Sequence, residues 1–570
     1  MRDRLSLTQG LGLLLLMVVG SALTIVMGWQ QHFTLVQVQM LLRGLYAAFT
    51  GQYLPFGNES GLLGHSPGIL SSWLMGFPFK LVSSASAPLY GQALLHFLAL
   101  LLVVRALASL FAPRAVVVGT LFLTLGPWPL AVAGLNPAGF LSLGSALVLS
   151  SLVVLRRDRD FKVSGLRRFI STVCLLLGLG WCLQVHSSWP VLWLVVLLLW
   201  LRRDISLSLV GLVVGVLLVG LTLTPYLAQV ATNPGLTQSA DDSGYWGYGL
   251  VHVYPLFLGL LDLLRLGSVL GPQEAQLPLL TGQEGLVGTL LGYGYMSLYW
   301  LFGIVTMVVT ASAMYFALYR FSGGSSGRLR LVRALVICMV LATLVVAALL
   351  PYVITPNDLY VLLPFALLPL CAYFSVRSSG VKAFGVVSLL FMVLTLPVMG
   401  LYAPRNTSTE SYQAQVYRSC LMAFPEQDCA VYGAALPDDQ RLNMAGSISI
   451  DDNLVARVLR GTVQPGQAPA ATPLTPVPEL PTAASAATAA TAAVPAADSG
   501  EVLGSGAASG EVTPVAPVLP AHAPIVDSTP MMGASGELKL EELQSEASEP
   551  ESAGAVVDQG SGQSGELVIN

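Results

Sequence analysis

Residues 29–67 read WQQHFTLVQVQMLLRGLYAAFTGQYLPFGNESGLLGHSP. The stretch follows an apolar run, Leu11–Met27, and hydrocarbon would not accept it: His32, Gln37, Gln39, Arg43, Gln52, Asn58, Glu59 and His65 all fall within it. Part of it still reads as an amphipathic helix. Phe33, Val36, Met40, Gly44 and Ala47 share one face, Gln39, Arg43 and Thr50 group on the adjoining flank, and Gln37 falls on the apolar side. A helix lying on a membrane surface and followed by a Gly/Pro-punctuated turn makes one wall of a site at the bilayer boundary. The alternative is a connecting loop without chemistry.

Working outward, the remainder is mostly lipid-compatible. Hydrophobic residues make up 54% of the 570 and charged ones 10%, and mean hydropathy is +0.71. Leu94–Val104, Val191–Leu201, Val210–Leu223, Ala334–Leu350 and Ala383–Gly400 are charge-free. A spanning helix needs about 20 mostly apolar residues. The expected fold class is therefore an all-α polytopic membrane protein with roughly 11–13 transmembrane helices. Behind Arg2 and Arg4 the first apolar run is too long for a signal-peptide core, so it reads as a retained helix.

Charge orients the bundle. Of the 27 Lys and Arg, 21 precede Arg405, against 11 of the 31 acidic residues. They cluster at 156–168, 202–204 and 320–333, loops that the positive-inside rule makes cytoplasmic. A nucleic-acid surface is excluded for such short loops between spans. The N-terminus is then cytoplasmic and residues 29–67 are external. This parity needs Gly68–Leu81, broken by Pro78, to stop short of crossing. His186–Ser188, Thr224–Leu250 with Asp241 and Asp242, and Tyr352–Asp358 are further external segments. Gly249–Ser268 carries Asp262 and Arg265 at i, i+3, spaced to pair.

The expected organisation is a transmembrane domain at 1–404, a small extracytoplasmic segment at 405–462 and a disordered Ala/Pro/Thr-rich acidic tail at 463–570. Cys420 and Cys429 are placed to close a small disulfide loop, whereas the other four cysteines sit in apolar helices. Asn58-Glu-Ser60 and Asn406-Thr-Ser408 match a glycosylation sequon, a pattern short enough to arise by chance. The pattern as a whole fits a bacterial inner membrane.

Phosphate-loop, zinc-protease and CxxC motifs are absent, and no metal-ligand set stands out. The remaining candidates are polar groups at the external helix ends: the first loop, His186, Asp241, Asp242 and Asp358. A lone histidine such as His186 equally suits a satisfied hydrogen-bonding residue.

QMLLRGLYAAFTGQYLPFG, then GHSPGILSSWL, LQVHSSWPVLWL around Gln184–His186, and NDLYVLLPFALLP from Asn357 to Pro369 follow in order along residues 5–402. In this the chain resembles the GT-C superfamily of integral-membrane glycosyltransferases, such as the protein mannosyltransferases and the lipid A aminoarabinose transferase. The resemblance implies a first helix, a long external loop with a surface helix, and a polytopic bundle. It further implies a polyprenyl-phosphate-linked sugar as donor, membrane lipid around the bundle and an acceptor that it leaves unnamed.

The chain departs from the family pattern where an acidic residue is usual early in the first loop: Val36, Gln37, Val38 and Gln39 stand there. LNPAG around Asn136 stands where a second acid is common. Gln and Asn neither take a proton nor hold a divalent cation as a carboxylate does. Glu59, with His65 nearby, or Asp241 or Asp242 from another loop, would supply the catalytic base, and a divalent cation stays open as cofactor. Arg43 would meet the lipid phosphate, with Gln37, His65, His186 and Asp358 as further substrate contacts. Arg43 could instead snorkel to lipid headgroups. Two other classes stay in view: a non-catalytic relative that binds lipid-linked sugar or scaffolds the envelope, and a transporter or lipid-sugar flippase.

Overall fold

The computed structural model describes residues 6–459 apart from 32, 61–63, 158–162, 238–246, 272–285, 321–326, 378–379, 403–410, 426, 435, 438–439, 442–454 and 456–457. The chain divides into two units, Met1–Ala508 and Ser509–Asn570, and every described residue belongs to the first.

The first helix, α1 (Leu7–Gln30), starts on a capping box in which Ser6 and Gln9 each satisfy the other's backbone N–H. At 1.5 Å per residue its 24 residues reach about 36 Å, enough for a bilayer core. α2 (Leu35–Thr50) starts on a second capping box, Thr34 with Gln37, and stops at Gly51, whose φ of +75° suits glycine. An antiparallel hairpin follows, β1 (Phe56–Ser60) and β2 (Gly64–Pro67). It modifies the all-α expectation: Pro55, Gly57 and Gly64 are poor helix formers, and the chain closes on itself instead. α3 (Leu70–Leu81) contains Pro78 and, at 12 residues, is too short to cross, as the charge parity requires.

The bundle continues with α4 (Ala87–Leu110), α5 (Pro113–Thr124), α6 (Pro127–Ala131) and α7 (Leu141–Leu155). Then come α8 (Gly165–Val185), α9 (Trp189–Leu201), α10 (Leu209–Thr232), α11 (Tyr248–Val251) and α12 (Tyr254–Leu266). The final group is α13 (Leu286–Arg320), α14 (Gly327–Leu349), α15 (Pro356–Leu359), α16 (Leu363–Val376), α17 (Val381–Tyr402) and α18 (Tyr412–Ala423). Among the described residues nine helical segments are long and apolar enough to cross a membrane, and Trp189–Leu201 and Val381–Val393 are shorter apolar stretches. The protein is a multi-pass membrane protein.

The polar segments gather at one end. Ser71 on α3 donates to the carbonyl of Gln184 near the end of α8 at 2.7 Å, so the first loop meets the α8–α9 turn. α8 begins at Gly165, about 30 Å away along its axis. At that far end the basic connections join: Arg157 N–H donates to Asp204 O at 2.9 Å, and Arg202 pairs with Asp204 at 3.0 Å. The connections around Arg157 and Arg202 thus share one end of α8, and the first loop meets its other end.

Candidate functional site

α2 packs against α3 closely enough to need small residues. A Cβ on Gly44 would lie 2.8 Å from the Met75 Cβ, and one on Gly76 would lie 2.5 Å from the Ala47 Cβ. This approach buries the Met40–Gly44–Ala47 face, as the periodicity predicts. The adjoining flank differs from expectation: Gln39 and Arg43 are buried too, at 2% and 0% exposure. The hairpin folds back over that flank, which removes both from water.

Arg43 is the centre of this arrangement. One guanidinium nitrogen, Nη1, donates to Oδ1 of Asn58, and Asn58 Nδ2 donates to the carbonyl of Val36 at 3.1 Å. The Asn58 amide therefore ties β1 to α2. The guanidinium lies 5.7 Å from the Phe56 ring centroid, a cation–π separation. Its Nε and Nη2 are buried and find no partner among the described residues. Burial pulls the Arg43 pKa down to about 9 and the nearby Glu59 opposes that shift, so the group stays a cation at neutral pH.

Glu59 is half-buried, and its Oε2 accepts from Gln39 Nε2 at 3.2 Å. Across the hairpin it stands opposite His65. His65 is buried, with Nδ1 3.2 Å from the carbonyl of Gly57 and its ring 5.1 Å from that of Phe56. The hairpin and α2 thus bring Arg43, Glu59 and His65 together with Asn58 and Gln39. The signal for Gln39 was its i, i+4 spacing from Arg43; Asn58 carried none beyond being polar.

Gln37 lies apart from this cluster. Its Oε1 accepts from the Thr34 N–H at 2.7 Å and its Nε2 donates to Gln31 Oε1 at 2.9 Å, so the protein itself uses both ends of the amide. Gln31 in turn joins the segment after the last span: Gln415 on α18 donates to the Gln31 carbonyl at 3.1 Å and accepts from the Phe33 N–H at 2.6 Å. Cys420 and Cys429 form the expected disulfide beside it.

His186 and Asp358 meet in a second group. His186 Nδ1 accepts from Ser188 N–H at 3.1 Å. Burial holds the imidazole below its ordinary pKa, while the charge of Asp358 works against that shift. Asp358 caps α15, accepting from the Thr355 N–H at 2.9 Å and its hydroxyl at 2.7 Å. Ser187 shares a hydrogen bond with Tyr352, whose hydroxyl is pushed up by burial and by Asp358. Asp262 and Arg265 on α12 pair at 2.6 Å, as their spacing predicts, and Asp358 lies close enough to Asp262 to act on it electrostatically. Asp241 and Asp242 lie outside the described residues.

Among the described residues no group of three or more His, Cys, Asp or Glu side chains stands ready to hold a metal ion. Glu59 offers one carboxylate beside a guanidinium, which does not fit the multi-oxygen cage that a divalent cation requires.

No family model matches the sequence, and no curated protein does. Among solved structures the chain is similar to ArnT from Cupriavidus metallidurans in the apo state, with 14% identity and a TM-score of 0.43 over 80% of this chain and 78% of that one. It is similar to the same protein bound to undecaprenyl phosphate, with 13% identity and a TM-score of 0.44 over the same shares. A third is the archaeal oligosaccharyltransferase AglB from Archaeoglobus fulgidus in complex with an inhibitory peptide and a dolichol-phosphate, at 13% identity and a TM-score of 0.39. That match covers 75% of this chain and only 60% of AglB. The likeness in each case is one of overall helix arrangement.

Proposed function

We propose that the protein is a membrane glycosyltransferase that takes a sugar from a polyprenyl-phosphate donor and passes it to an acceptor hydroxyl at the polar end of the bundle. The observation that carries this reading is Arg43. A buried guanidinium with two unpartnered nitrogens is costly as it stands. An oxyanion relieves that cost with paired hydrogen bonds of matching geometry, and phosphate suits a guanidinium well. The site lies where the first loop leaves the bundle, so a lipid tail has hydrocarbon beside it while its phosphate meets α2. Both nitrogens are sealed in this state, so the donor is admitted as the hairpin shifts against α2.

Glu59 supplies the base. As the acceptor oxygen bonds to the anomeric carbon, its proton passes to the Glu59 carboxylate. The carbon–oxygen bond to phosphate breaks, and polyprenyl phosphate leaves with its charge against Arg43. Direct displacement inverts the anomeric carbon. The protein sits in a bacterial inner membrane, basic end in the cytoplasm and polar end outside, with both the first loop and α18 extracytoplasmic.

A second reading is a non-catalytic relative that holds lipid-linked sugar. What favours it is that Glu59 already accepts from Gln39 and faces Arg43. The deciding experiment is transfer from radiolabelled polyprenyl-phosphate sugars by purified protein. Wild type is compared with Glu59→Gln, Asp241→Asn and Asp242→Asn. Activity lost in Glu59→Gln, with donor binding kept, supports the transferase and its base; loss only in an Asp241 or Asp242 variant relocates the base. Donor binding without transfer in the wild type, across a panel of donors and acceptors, supports the holder instead.

A further inference from the structure

Gln39 sits one helical turn before Arg43 on α2, and the two share a face. Its amide is oriented by Glu59: the Nε2 end donates to the carboxylate at 3.2 Å, which leaves Oε1 as the opposite end. That oxygen is buried and finds no partner among the described residues. The cluster therefore holds two unpaired donors on Arg43 and one unpaired acceptor on Gln39, with Cβ atoms about 5–6 Å apart by helical geometry. A fully ionised phosphate has only acceptors and satisfies only the donors. A phosphate ester that carries a hydroxyl a few ångströms from the phosphorus satisfies both sets.

Resting on the reading of Arg43 as the phosphate ligand, we propose that Gln39 is the residue that reads the sugar. Its carbonyl accepts a hydrogen bond from a hydroxyl of the phosphate-linked ring, and this makes the site prefer glycosylated lipid phosphate to the bare lipid. The same amide holds Glu59 through its nitrogen, so occupation by a hydroxylated ring and the placing of the carboxylate run through one side chain. A bare lipid phosphate, which is the leaving product, lacks that hydroxyl and is held less well. The preference thus favours exchange of product for new donor. Filling an orphaned buried acceptor is worth about tenfold in affinity.

The test compares binding of polyprenyl phosphate and polyprenyl-phosphate hexose to purified full-length protein in detergent. Wild type, Gln39→Met and Arg43→Gln are measured with both probes. The expected pattern is an approximately tenfold preference for the hexose-bearing probe in wild type. In Gln39→Met that preference disappears while bare-lipid affinity stays within about twofold, which also shows that the fold is intact. Equal affinity of wild type for both probes overturns the assignment to Gln39 and leaves the phosphate reading standing. So does loss of both affinities together in Gln39→Met, or a preference kept in Gln39→Met. Failure of the wild type to bind either probe, or unchanged binding of both by Arg43→Gln, sinks the phosphate reading itself.

Discussion

Arg43 is fully buried, and among the described residues only one of its nitrogens has a hydrogen-bond partner. Replacing it by lysine keeps the charge but loses the planar fork, so Arg43→Lys should weaken polyprenyl-phosphate binding by about tenfold or more. Asn58→Ala removes the tie between β1 and α2 and leaves the guanidinium with fewer partners. The expected cost is about 1–3 kcal/mol of stability, read as a lower unfolding temperature in detergent. His186 gives a pH signature. Its folded pKa is depressed below 6.5 by burial. The unfolded chain therefore binds the proton more readily, and stability falls as pH drops through 6.5 toward the folded value. Unfolding temperature measured from pH 7.5 to 5 should decline in the wild type and flatten in His186→Asn. A curve that His186→Asn leaves unchanged would place the acid sensitivity elsewhere.

The elements around the site differ in how much of them the sequence discloses. α2 was legible because its apolar period of 3.6 needs no knowledge of neighbours, and α3 because the apolar segment after Pro67, with Pro78 inside it, is too short to cross. The burial of Gln39 and Arg43 was not legible, because it depends on a hairpin that closes over them from fifteen or more residues downstream. α18 was even less so: Gln415 meets Phe33 and Gln31 across 382 and 384 positions of chain. Such contacts leave no local trace. Tyr432 packs edge-on against Phe49 of α2 and Phe79 of α3, and Phe424 also meets Phe49. α18 and the segment around the Cys420–Cys429 disulfide therefore pack against α2. Substituting both cysteines by serine, or Gln415 by alanine, should raise hydrogen exchange at the α2 N-terminus and leave the α13–α14 exchange unchanged. Equal exchange at both places in wild type and variants would show that α18 does not hold α2. Gly76→Val tests the opposite wall. It places side-chain atoms where the Ala47 Cβ already lies and should cost about 1–3 kcal/mol.

For the molecule as a whole, composition was enough to predict a polytopic bundle, because lipid imposes the length of its apolar helices. What it could not supply is the meeting of the first loop, the α8–α9 turn and α18, which is a matter of tertiary packing. The orientation gives a direct prediction. A membrane-impermeant maleimide should label Gln52→Cys in intact cells and Arg202→Cys only after permeabilisation, since both side chains are exposed but at opposite ends. The reverse pattern would invert the proposed topology.

Arg43 as an anion site is the centre of the proposed function, and one measurement bears on it most directly. Native mass spectrometry of detergent-purified protein, titrated with undecaprenyl phosphate and with the uncharged alcohol of the same chain length, separates phosphate recognition from lipid adhesion. Wild type should bind the phosphate at least tenfold more tightly than the alcohol. Arg43→Gln should bind the two alike. Retention of the full phosphate preference in folded Arg43→Gln would contradict the account and leave Arg43 as a staple between the hairpin and α2.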